Sequence, residues 1–81
     1  MPYEFCKRVI SPLGPSDKPL SVYPDFHTAW RDALSTFEMA TLLIVGCHLE
    51  PELPGHPNYC EFFVTDGVSL HETYVIQEAV Q

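Results

Sequence analysis

The sequence predicts an α+β fold: a two-layer domain with one helix packed on one face of a mostly antiparallel β-sheet, in the order β-β-α-β-β-β. Three observations predict it. Residues 26–40 carry a single apolar stripe at helical spacing. The segments around them are short runs rich in aromatic and β-branched residues. Clusters of Pro, Gly, Asn and Asp separate those runs, and no internal repeat is present. Eighty-one residues, 46% of them apolar, are read as one domain, 1–81, with enough apolar matter for a core. A chain this small buries only about 60–65% of its unfolded surface.

Residues 3–10 form the first strand by composition. Ser11-Pro12-Leu13-Gly14-Pro15-Ser16-Asp17-Lys18-Pro19 is dense in turn formers and predicts a loop. Leu20 to Tyr23 follows as a short strand closing a wide hairpin. Phe26, Ala29, Trp30, Ala33, Leu34, Phe37 and Ala40 then recur at the 3.6-residue period. Asp25 precedes them as an N-cap, its carboxylate accepting from open backbone donors of the first turn. Trp30, in mid-stripe, is expected at the centre of the core. Leu42 to Leu49 reads as a buried strand, and residues 51–58, rich in proline, as a rigid loop.

Residues 59–65 and 68–80 flank Asp66-Gly67, a hairpin signal. A two-residue loop would set Glu61 against Glu72, a like-charge pair. A three-residue loop with Gly67 at a left-handed bulge position pairs Val64 with Val68 and Glu61 with His71 instead. It also puts Cys60, Phe62, Val64, Val68, Leu70, Tyr74 and Ile76 on one face. Register follows the buried face, so the bulged turn is expected. Glu72 is then the misfit on the apolar face, near Cys60. Tyr59 and Phe63 fall on the opposite face.

Charge is the strongest functional signal. From Asp32 onward there is no lysine or arginine, while Asp32, Glu38, Glu50, Glu52, Glu61, Asp66, Glu72 and Glu78 supply the bulk of a formal net charge of −7. A field of one sign attracts basic partners and repels nucleic acid and anionic membrane. Four basic residues against eleven acids argue against direct nucleic-acid binding. The longest aliphatic run, Leu42 to Val45, is far short of the ~20 residues that span a bilayer. The first residues show no basic or apolar leader, so no signal peptide is expected. Three cysteines without a secretory context point to reduced thiols in a cytoplasm.

Catalytic chemistry finds little support. Cys47, His48, His56 and Cys60 are the one metal-like group, but adjacent strand residues point to opposite faces, so at most one of Cys47 and His48 could join the others. Small buried cysteines explain the pattern without metal. No activating pattern surrounds the cysteines, and few cations against many acids push thiol pKa values the other way. There is no Gly-rich phosphate cradle. No enzyme, cofactor or metal is therefore expected.

A binding surface is expected instead, formed by Glu50, Glu52, Tyr59, Glu61, Phe63, Asp66 and His71, with aromatic anchors inside an acidic rim. In size, acidity and β-rich layout with one helix, the chain resembles small phage-encoded inhibitors of the anti-CRISPR kind. These share no diagnostic motif, so no residue role transfers. The resemblance implies an inhibitor that occupies a basic, nucleic-acid-binding surface of a partner protein or nuclease complex. An immunity protein or antitoxin against a nuclease would use the same physics, and a structural subunit of a larger assembly and a thiol- or zinc-dependent enzyme are the alternatives from other classes.

Overall fold

The computed structural model describes residues 2–50 and 57–79. Among them β1 (Tyr3–Ser11) and β2 (Gly14–Tyr23) form a hairpin, α1 (Phe26–Met39) follows, and β3 (Leu43–Glu50), β4 (Tyr59–Thr65) and β5 (His71–Glu78) complete one sheet. The strand order is β2-β1-β5-β4-β3, antiparallel throughout. α1 packs on one face, giving the predicted α+β two-layer fold and element order.

The first hairpin is tighter than expected. Most of the stretch read as a loop is strand, and only Pro12 and Leu13 turn, with Gly14 at φ +110°. Pro15 and Pro19 fit because β2 is an edge strand, whose outer side has no ladder to supply with donors.

The second hairpin corrects the expected register. Val64 lies opposite Glu72 and Glu61 opposite Val75, so Val64 does not pair with Val68, nor Glu61 with His71. The cause is Asp66. Its carboxylate accepts the backbone N–H groups of Val68 (2.8 Å), Ser69 (3.1 Å) and Leu70 (3.1 Å), folding residues 66–70 into a turn of their own. Gly67 does sit in the left-handed region, at φ +85°, but within this longer turn. The slip is by an even number of residues, so each side chain keeps its face. Val68 and Leu70 leave the apolar face for the exposed loop. Glu72 lies beside Val64 rather than Cys60, ion-paired with Lys7 and accepting from the Tyr74 hydroxyl.

The helix begins as expected, with the Asp25 carboxylate accepting from the Thr28 N–H at 2.8 Å. This bond holds the carboxyl below its ordinary range. It ends in paired backbone bonds, Leu42 N–H to Phe37 C=O at 2.8 Å and Thr41 N–H to Glu38 C=O at 3.1 Å. Thr41 adopts φ +57° to make them.

The core lies between α1 and the inner side of the sheet. Phe37 is its hub: its ring meets Phe62 at 5.2 Å, Tyr74 at 5.1 Å and Phe5 at 5.9 Å between centroids. Trp30 is not the centre. It packs against the core from its margin, tilted on Phe62 at 5.0 Å, because the helix stripe turns toward the sheet through Ala29, Ala33 and Phe37. β3 is not buried either. It is the edge opposite β2, with Leu43, Ile44 and Val45 exposed. A helix is about 10–12 Å across, whereas five strands about 4.8 Å apart span roughly 19 Å, so one helix cannot cover both margins.

Candidate functional site

The outer side of the sheet, away from α1, gathers most of the expected binding residues. Strand alternation and register place them in rows. Glu50, Tyr59, Gln77 and Glu4 form one row across β3, β4, β5 and β1. His48, Glu61, Val75 and Cys6 form the next, followed by Gly46, Phe63, Thr73 and Arg8. Thr65 and His71 close the face at the turn end. No described helix or strand lies over these rows.

Arg8 organises the middle of this surface. Its Nε donates to Asp17 Oδ1 at 2.9 Å and its Nη2 to Asp17 Oδ2 at 3.3 Å. The same Nη2 donates to the Tyr59 hydroxyl at 3.2 Å, and Nη1 lies 3.6 Å from Glu61 Oε2. Tyr59 in turn donates to Glu61 Oε1 at 2.8 Å. The bonds to Asp17 and Tyr59 hold the guanidinium protonated more firmly than usual. Partial burial pushes the Tyr59 phenol up, and its bond to Glu61 adds to this, against the opposing pull of Arg8.

The reach from β1 to β4 carries Arg8 across Val75 and Cys6, both fully buried although they face outward. Burial, with Glu4 and Asp17 nearby, pushes the Cys6 thiol up to about 12. Gln77 Nε2 donates to Glu4 Oε1 at 3.1 Å, and His48 Nε2 meets Glu50 Oε1 at 3.0 Å. Phe63 remains 39% exposed. Its ring leans over Gly46, where an added Cβ would lie 3.0 Å from the ring.

The structure thus brings Glu50, Tyr59, Glu61, Phe63 and His71 to one face. Asp66 stands apart, its carboxylate committed to the turn and held below its ordinary range by the N–H groups of Val68 and Leu70 first. Glu52 lies outside the described residues. Tyr59 is tethered through its hydroxyl rather than free, which makes Phe63 the open aromatic of the set. Sequence reasoning missed Arg8, Asp17 and Glu4, whose place on this face depends on β1 pairing with β5.

On the helix side, Cys47 and Cys60 lie diagonally across β3 and β4 with their sulfurs 3.6 Å apart. Cys60 is buried, which raises its thiol, and Cys47 is exposed. His48 points to the other face, as adjacent strand residues must. Among the described residues no group of three or more His, Cys, Asp or Glu side chains could hold a metal ion. A cleft of about 660 Å³ opens beside the start of α1, walled by Tyr3, Phe26, Trp30 and Leu49 with Asp25 and His27 at its polar side. Phe26 and Trp30, one helical turn apart, were its signal in the sequence. No described helix is long and apolar enough to cross a membrane.

No family model, curated protein or solved structure matches this chain.

Proposed function

We propose that this chain is a cytoplasmic protein-binding inhibitor, not an enzyme, which covers a basic, nucleic-acid-binding surface of a partner protein in the manner of anti-CRISPR proteins. One observation supports this above the others: the sheet face that no described helix or strand covers carries Glu61, and beyond it Glu50 and Glu4, in the rows to one side of the exposed Phe63. Carboxylates at such a face steer a basic partner in and take the place of phosphates, while an aromatic ring gives short-range affinity. Arg8 fits the same reading. It fixes Glu61 and Tyr59 in place, so less side-chain freedom is lost on binding.

The test is displacement of labelled DNA or RNA from a panel of basic nucleases and CRISPR effector complexes, nuclease toxins included. At least one member should release its nucleic acid. The association rate should fall as ionic strength rises past about 0.15 M, where the Debye length is about 8 Å. Glu50→Lys should slow association, and Phe63→Ala should speed dissociation. No displacement from any member, or an association rate indifferent to salt, would remove this reading.

A further inference from the structure

We propose that β3 is the interface through which two copies of this chain join, edge to edge and antiparallel, into a two-fold dimer with one continuous sheet.

The two edges of the sheet are built differently. β2 carries Pro15, Asp17, Lys18 and Pro19, and prolines and charges on an edge prevent further strands from adding. From Leu43 to Cys47, β3 has neither proline nor charge. The bulge at Val45 interrupts this stretch, but it presents a valine to solvent rather than a charge. Leu43 is 60% exposed and Val45 65%. No described strand pairs with the outer edge of β3, and from Leu43 to Cys47 an edge flanked by aliphatic side chains selects an extended strand as its occupant.

The charge pattern along β3 suits a second copy. His48 and Glu50 lie at one end of the strand and the aliphatic residues at the other. Antiparallel pairing about Gly46 sets Glu50 of one copy against the aliphatic start of β3 in its partner. The two Glu50 carboxylates then stand about 27 Å apart at about 3.4 Å per residue, beyond the ~8 Å Debye length. A parallel arrangement would bring them side by side.

The uncovered part of the inner face points the same way. Ile44 and Cys47 face the helix side, opposite Val64 and Phe62, yet remain exposed, whereas Leu49 farther along β3 packs against the core. A two-fold axis perpendicular to the sheet keeps both helices on one side. The partner's helix then flanks the strip that the first leaves open, and Met39, 84% exposed at the end of α1, lies among the side chains available to close it.

Sedimentation equilibrium of the full chain over a dilution series tests this. The mass should rise from 9.2 kDa toward twice that value with concentration. It should rise further with added salt, because each copy carries −7. That is the opposite salt response to capture of a basic partner, so the two proposals fail separately. Leu43→Lys and Val45→Lys, at exposed side chains, should keep the circular-dichroism spectrum and return the mass to 9.2 kDa. Leu13→Lys, on the β1–β2 turn, should leave the dimer intact. A wild type that stays at 9.2 kDa throughout overturns the proposal, as does a dimer that survives both β3 lysines.

Discussion

Arg8 grips both carboxylate oxygens of Asp17 across the β1–β2 ladder, at 2.9 and 3.3 Å, and still reaches Tyr59 on β4 with the same guanidinium. One side chain from near the edge of the sheet thereby fastens its middle. Arg8→Met should cost roughly 1–2 kcal/mol, since the group is three-quarters shielded and its bonds are charge-assisted. It should also leave Asp17 and Glu61 uncompensated, so association with a basic partner should quicken while urea stability falls. Equal stability of variant and wild type would show that the network is ornamental to the fold.

Phe37→Ala should be the most damaging truncation on α1. Its ring is 2% exposed and touches Phe5, Phe62 and Tyr74, so its loss should cost about 3–5 kcal/mol. Trp30→Ala, at the margin, should cost less. Chemical denaturation of the two variants side by side checks the order.

Thr41→Gly should stabilise the domain. A β-branched residue at φ +57° is strained, and glycine relieves that strain while adding some unfolded-state freedom. The net gain should be roughly 0.5–1 kcal/mol, read as a higher urea midpoint.

Alkaline pH should unfold the protein through its buried thiols. Cys6 is raised from 9.0 to about 12, chiefly by burial, and Cys60 is raised for the same first reason. A folded-state value above the unfolded one gives stability that is complete below the unfolded value. That stability drains away as pH climbs from about 9 toward 12. The slope per thiol should approach about 1.4 kcal/mol per pH unit, and Cys6→Ala should make the decline shallower.

Much of this architecture could be read before the structure, and the boundary between what could and could not has a physical basis. The Asp25 cap, the helix stripe and the face of each residue on β4 are set by neighbours within a turn or by strand alternation. They follow from spacing alone. The β4–β5 register does not, because Asp66-Gly67 favours a tight turn locally while the Asp66 carboxylate stabilises a longer one. The aliphatic run of β3 fits a central or an edge strand equally well, and only the sheet order separates them. At the candidate site, parity alone unites Tyr59, Glu61 and Phe63. Arg8 joins them from across the sheet, a partner 51 positions from Tyr59 that no local pattern announces.

The strand order has a bearing on how the chain can be made. β5, the last described strand in chain order, occupies the middle of the sheet, and β1, the first described, is its neighbour. The β1–β2 hairpin can close early, as can α1, but neither has a completed sheet to settle on until β5 inserts between β1 and β4. Folding of this sheet must therefore wait on contacts between strands far apart in sequence, the kind that form slowly. Until then the inner sides of β1 and β4 lack their shared neighbour, so a nascent chain stalled before His71 should be a substrate for chaperones and proteases rather than a partly working domain.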